Sequence, residues 1–295
     1  MDILTHAMLG IVSAGPFVDR PAVAAGLLFG SVAPDLDSLS RVFGKRAFVR
    51  CHQGASHALP LLALAGAIAA CLPGLGPAFG GALFSGAALH ALLDYTNTLG
   101  VKLLWPFNRR RLQRSIVFFI DAFVLVVGAA GSVATVQGIF TGGEVSPAVA
   151  FTTAGVLGAY WVLKAMLRGV AVRQAGAGVV SILPSALVPW KFILFRRDGT
   201  RGVVEEWDVM TRRGVSLLAE QIQDDACTSV CAAVPEWALM RALSPAYHVV
   251  GVEATAEGRT IHCRDLRTRN FNSRFGDLDI HVGPAGAVTR VLFHV

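Results

Sequence analysis

The sequence predicts an α-helical integral membrane domain of four to six helices, followed by a strand-rich α+β soluble domain. The chain has 295 residues, of which 54% are hydrophobic and only 16% charged, where a soluble domain carries about 25% charged residues. Its mean hydropathy is +0.56. Charge is also segregated: residues 1–175 hold 13 Lys and Arg against 7 Asp and Glu, so the whole formal +6 sits in the apolar half. Near residue 176 long apolar runs give way to short alternating ones, the change from helical to strand patterning. The expected domains are 1–175, carrying the membrane helices, and 176–295, in the cytosol.

The first basic residue is Arg20, so the start lacks the basic region that opens a signal peptide and is read as retained. The stretch "HAMLGIVSAGPFVDRPAVAAGLLFGSVAPDLD" holds two apolar segments hinged at Pro16 to Pro21. Each is about a dozen residues, which suits a re-entrant hairpin as well as two spans. Helices follow at about 58–72 and 78–95, split by "PGLGP", then at about 116–140 and 148–167, split by "TGGEVSP". The first of these is short against the roughly 20 residues a span needs. Connector 41–50 holds Arg41, Lys45, Arg46 and Arg50; connector 101–114 holds Lys102, Arg109, Arg110, Arg111 and Arg114; Arg168 and Arg173 follow the last span. The alternate connectors hold Asp19 with Arg20, nothing, and Glu144. The positive-inside rule then places the basic connectors, both termini and the soluble domain on the cytoplasmic side, and the expected location is a cell inner membrane.

In the second domain "WKFILFRR", "GVVEEWDV", "YHVVGVEA", "RTIHCRDL" and "AVTRVLFHV" alternate as strands do. Helices are expected around 214–223 and 235–243. The five cysteines lack the paired spacing of a zinc ribbon, and "CTSVC" reads as two core cysteines. His248, His262, His281 and His294 stand singly in expected strands and read as structural or solvent-facing. With no net charge and no recognition motif, this half carries no sign of nucleic-acid binding.

The polar residues of the apolar half converge on one level. Asp2, Thr5 and His6 begin the first stretch, Asp35 and Asp37 in "PDLD" end the second, His52 and His57 precede the third, and His90 with Asp94 ends the fourth. All fall at the cytoplasmic ends of helices in the expected topology. His90 and Asp94 are four apart and share a helical face. His52 and His57 are five apart around Gly54, which suits a loop that folds back. Imidazole with carboxylate and no thiolate points to a divalent ion, zinc first, with manganese or iron as alternatives. Seven ligand candidates leave room for one ion or two. Asp121 in "RSIVFFIDAFVL" is a further carboxylate, expected either to pair with Arg114 or to support the site.

These residues resemble the membrane-bound metal-dependent hydrolases of the YdjM type. "MDILTHAMLG" looks like that family's opening Asp-x-x-Thr-His, and "PDLD" is similar to its Pro-Asp-x-Asp. "HQGASHA" resembles His-Arg-Gly-x-Thr-His-Ser, "HALLDYTNTLG" resembles His-x-x-x-Asp with a trailing Gly, and "LLWPF" and "FFIDAF" follow in order. The resemblance covers about residues 1–125, and the tail is more loosely similar to longer members with a soluble region. Gln53 stands where the family usually has Arg, Ser56 where it has Thr, and Ala58 where it has Ser. Gln53 therefore lacks the fixed positive charge suited to a phosphate.

The resemblance implies a hydrolase. Its expected ligands are His6, Asp35, Asp37, His52, His57, His90 and Asp94, supported from behind by Thr5, Ser56 and Asp121. Asp35 or Asp37 would bridge a second ion or act as base, and His52 would be a further ligand or the acid that protonates the leaving group. Gln53, Arg109, Arg110 and Arg111 are expected to face a membrane-lipid substrate, a phosphoester or ester. A transporter whose ion site is this cluster is the rival of another class, but transporters place such sites near the midplane and often show repeats. A non-catalytic anchor with a structural ion is the third reading.

Overall fold

The computed structural model describes residues 1–141, 145–267 and 274–295; Glu144, one of the topology signals, lies outside them. The chain divides into two compact units. The first comprises Met1–Ser40, Cys51–Met166 and Ser185–Pro189; the second comprises Arg41–Arg50, Leu167–Pro184 and Trp190–Val295.

The first unit is helical. α1 (Ile3–Ala14) is opened by Asp2, whose carboxylate accepts from the Thr5 backbone N–H at 3.0 Å and from the Thr5 hydroxyl at 2.5 Å. That is N-terminal capping by the residue type best suited to it. A short 3-10 turn at Gly15–Phe17 leads to α2 (Pro21–Val32), which tightens into 3-10 helix over Ala33–Phe43. This run is far longer than the three or four residues usual for such a helix. α3 (Lys45–Cys51) and a 3-10 turn at Ala55–His57 precede α4 (Leu59–Cys71) and α5 (Gly76–Tyr95). α6 (Ala122–Phe140) and α7 (Pro147–Ala175) complete the series, in which α3 up to Arg50 and α7 from Leu167 belong to the second unit. Among the described residues four helices are long and apolar enough to cross a membrane: Pro21–Phe43, Gly76–Tyr95, Ala122–Phe140 and Pro147–Ala175. α4, with 13 residues, is shorter than a span needs.

α5 is the hub, packed on α2 and on α4, while α1 packs on α2 and α6. Close backbone approach makes this possible. A Cβ on Gly30 would meet the Leu83 carbonyl, and one on Gly86 would meet that of Leu27. Helices in lipid associate through such small residues because apolar burial gives no preference for helix over acyl chain. Ser31 follows Gly30, and His90 lies one turn beyond Gly86, so this contact also sets the spacing at the site.

The second unit holds two antiparallel four-stranded sheets, each in sequence order. The first is β1 (Val179–Pro184), β2 (Lys191–Asp198), β3 (Arg201–Asp208) and β4 (Arg213–Gln221). α8 (Asp224–Ala232) and α9 (Pro235–Leu243) separate it in sequence from β5 (Tyr247–Thr255), β6 (Gly258–Asp265), β7 (Leu278–Val282) and β8 (Val288–Phe293). β2 is buried on both faces: Ile193 and Phe195 pack with Leu183, Val204 and Leu266, while Phe192 and Leu194 pack with Leu167, Ala171 and Ala175 of α7.

The helix expected at 214–223 is instead β4, paired along β3 from Asp208 with Arg213 to Arg201 with Gln221. Hairpin pairing overrides the local preference of "SLLAEQ", as strand propensity depends strongly on neighbours. The helix starts only at Asp224, and Cys227 and Cys231, one turn apart, enter the core with Cys263.

Candidate metal centre

Four helix ends supply the site. His90 on α5 points its Nδ1 at the Ser31 carbonyl at 2.7 Å. A carbonyl only accepts, so Nδ1 carries the proton and Nε2 presents a lone pair. His57 reaches the same state by another route. The Ser56 hydroxyl donates to Asp37 Oδ2 at 2.5 Å, which leaves its oxygen to accept from His57 Nδ1 at 3.0 Å. The two Nε2 atoms then face each other at 3.1 Å, lone pair against lone pair.

Two carboxylates close the group. Asp35 Oδ1 lies 3.6 Å from His57 Nε2 and 3.5 Å from His90 Nε2. Asp94 Oδ2 lies 3.3 Å from His57 Nε2 and 3.7 Å from His90 Nε2. Both oxygens of Asp35 are buried and, among the described residues, meet no hydrogen-bond donor. A buried carboxylate in that condition is costly, and two opposed imidazole lone pairs add to the negative potential. A cation relieves all of these at once.

Asp35, His57, His90 and Asp94, all buried, offer one donor atom each, mutually within 4.8 Å. Zinc bonds of 2.0–2.1 Å in a tetrahedron imply donor separations of about 3.3 Å. The five contacts above run from 3.1 to 3.7 Å. The donor set and its spacing therefore fit a four-coordinate divalent ion.

The other expected ligands surround this group. His6 stacks on His90 with ring centroids 3.6 Å apart, and its Nε2 lies 3.1 Å from Asp94 Oδ1, the oxygen turned away from the two imidazoles. His52 stands further out, 25% exposed, with Nδ1 donating to Asp37 Oδ1 at 2.7 Å. Asp37 Oδ2 also accepts from the Gln53 backbone N–H at 2.9 Å. The structure thus groups the seven expected residues as four around one point, His6 behind Asp94, and an outer Asp37–His52 pair. Thr5 serves the cap of α1, and Ser56 links Asp37 to His57.

Three expectations change. Gln53 is 1% exposed and gives its side-chain amide to Asp94 Oδ2 at 2.9 Å, so it fixes a carboxylate instead of facing solvent. Its backbone is left-handed, with φ of 54°, a strained form that persists where the surroundings over-determine it. Here the N–H to Asp37 and the side chain to Asp94 do so. Arg111 donates to the carbonyls of Gly100 at 3.1 Å and His52 at 2.7 Å, a loop tie, while Arg109 and Arg110 are exposed. Asp121 joins neither Arg114 nor the cluster. It caps α6 and accepts from Tyr160 at 3.0 Å, with the Lys164 ammonium at 3.7 Å, whereas Arg114 bonds the Tyr95 hydroxyl.

Asn97 is the partner that the sequence reading passes over. Its amide donates to Asp94 Oδ1 at 3.0 Å, and its oxygen accepts from the N–H groups of Leu99 and Gly100. Its place three residues after Asp94, at the helix end, is the signal for it.

Against known proteins, the Bacillus subtilis protein described as "Uncharacterized protein YfhP" is 25% identical over 142 residues, 43% of this chain and 43% of that relative. The chain thus aligns with less than half the length of that relative. No solved structure matches. The family of YdjM inner membrane proteins matches residues 1–173, a stretch that contains every side chain of the centre. This chain is a member of the YdjM inner membrane protein family.

Proposed function

We propose that the protein is a metal-dependent hydrolase of the membrane's cytoplasmic surface, acting on a lipid phosphoester or ester. The observation that carries the reading is Asp35: a buried carboxylate without donors, facing two imidazoles whose protons are directed elsewhere. Asp35, His57, His90 and Asp94 would hold the ion, zinc being the best fit to two nitrogens and two oxygens at this spacing. A zinc ion held there would supply Lewis acidity and lower the pKa of a bound water to about 7.

The chain's own residues supply the rest. His6, Gln53 and Asn97 orient Asp94, a supporting arrangement whose loss typically costs 10–100-fold in metal affinity. Ser56 and the Ser31 carbonyl fix the tautomers of His57 and His90. Asp37 accepts from Nδ1 of the partly exposed His52, and this imidazole would carry the proton to a leaving oxygen. What supports the substrate reading is the charge of the connectors, which favours helix ends at the inner leaflet's headgroups.

A structural ion in a non-catalytic anchor is the second reading. It is favoured by the number of protein donors, since four fill a tetrahedron and a catalytic zinc site keeps one position open. Metal content and lipid-ester hydrolysis of the purified chain separate the two. The native chain should hold at least one transition-metal ion, and His57→Ala and Asp94→Asn should lose both ion and hydrolysis. His52→Gln should keep the ion and lose hydrolysis by 10²-fold or more. Hydrolysis unaltered in His57→Ala and Asp94→Asn would end the proposal, and an ion-loaded native chain inert towards lipid esters would favour the anchor.

A further inference from the structure

Between α5 and α6 the chain makes a compact excursion whose base is firmly tied. Val101 and Leu112 exchange backbone hydrogen bonds at 3.0 and 2.8 Å, the Leu59 N–H donates to the Leu103 carbonyl at 2.9 Å, and the Lys102 N–H to the Gln53 carbonyl at 3.3 Å. Arg111 adds its bond to the His52 carbonyl. The tip is closed as well, by Trp105 N–H to the Lys102 carbonyl at 3.1 Å, Asn108 N–H to the Leu104 carbonyl at 2.9 Å, and Arg110 N–H to Asn108 Oδ1 at 2.9 Å.

This ordered tip points its apolar side chains outward. Val101 and Leu103 at the base are buried, whereas Leu104 is 45% and Phe107 86% exposed, and Arg109 and Arg110 beside them are exposed too. Among loops that join two spans, an aromatic on a fixed tip next to paired guanidinium groups has one solvent that suits both: the boundary of acyl chains and anionic headgroups. Water alone would leave Phe107 unburied, and a neutral surface would leave the arginines without counter-charge.

We infer that residues 104–110 form a lipid-docking tip, with Leu104 and Phe107 set into the headgroup boundary and Arg109 and Arg110 on the phosphates of anionic phospholipid. Because its base holds the carbonyls of His52 and Gln53, a lipid seated there is held on the same scaffold as the outer pair of the metal centre. This last step rests on the hydrolase reading; the docking does not.

Trp105, half-buried in the tip, is a built-in reporter. The full chain is placed in nanodiscs of phosphatidylcholine, with or without phosphatidylglycerol, carrying acyl-brominated lipid, and the Trp105 signal is taken as native minus Trp105→Phe. Expected is quenching of that component, at least twofold stronger with the anionic lipid. It should fall by half or more in Phe107→Ser and lose its lipid dependence in Arg109→Glu/Arg110→Glu. Phe107→Trp in the Trp105→Phe background gives an independent second reporter, and helical circular dichroism checks each variant's fold. An unquenched signal from both reporters overturns the insertion. Quenching equal in the two lipid compositions overturns the anionic choice, and shielding that coincides with crosslinked dimers assigns the tip to a second copy instead. Every readout is independent of metal and of turnover, so failure here leaves the hydrolase proposal standing, and the reverse.

Discussion

Asp35 behaves oppositely with and without an ion, which makes it the sharpest residue for testing the centre. With a cation present its charge is a ligand; without one it is a buried carboxylate with no donor. Asp35→Asn should therefore cut metal affinity by 10-fold or more. In the presence of chelator the same variant should be more stable than the native chain, by about 1–3 kcal/mol, the cost of an unsatisfied buried polar group. Chelator titration and thermal melting of the two proteins, each with and without metal, check both signs. Gln53→Ala removes the amide on Asp94 Oδ2 and releases a strained backbone position, so its expected affinity loss, 10–100-fold, comes without loss of any donor. The donors themselves were legible in sequence because imidazoles and carboxylates are conspicuous beside apolar runs. Their tautomers were not, because these depend on a backbone carbonyl at Ser31 and a hydroxyl relay at Ser56 that only the fold brings into reach.

Elements show the same division. The apolar runs are readable as helices because their length alone marks them, and β2, β3, β5, β6 and β8 are readable from alternation. β4 is not, because "GVSLLAEQ" is decided by its register on β3. Asp121 misled for a related reason: the lysine that answers it sits about forty residues further on, inside α7. In the second sheet region, Asp224 opens α8 and ties it to β5, accepting from His248 Nδ1 at 2.7 Å and the Val249 N–H at 2.8 Å. Burial raises its pKa, but these bonds and the charges of His248 and Arg241 outweigh that and hold it below the ordinary carboxylate range. A folded pKa below the unfolded one contributes stability that is present above about pH 4 and is lost as pH falls through the folded value. Asp224→Asn should thus melt below the native chain at pH 7, with the gap closing as the pH drops below about 4, as followed by circular dichroism.

At the scale of the molecule, one segment belongs where its sequence position does not place it. Residues 41–50 lie between Asp37 and His52, yet they are part of the second unit. Val49 is 5% exposed within the core that holds Tyr247, Ile261 and Leu278. Arg41 and Lys45 donate to the carbonyls of Val295 and Phe293, and Arg46 forks onto Glu236 at 2.9 and 2.5 Å. Hydropathy shows this stretch only as a basic connector, since its packing partners lie about two hundred residues away. The consequence follows from covalent continuity. A segment fixed at ten residues leaves short tethers to Asp35 and Asp37 on one side and to His52 and His57 on the other, so it narrows the conformations the ligands can sample before an ion binds. Preorganisation of this kind raises affinity by removing an ordering cost. Arg46→Glu should therefore weaken metal binding several-fold although it touches no donor, and Glu236→Arg on top of it should restore part of the loss by re-forming the pair in reverse. Competition against a chromophoric chelator measures both. Equal affinity in all three proteins would mean that the ligands are set by the helices alone and that the second unit's hold on 41–50 has no bearing on the centre.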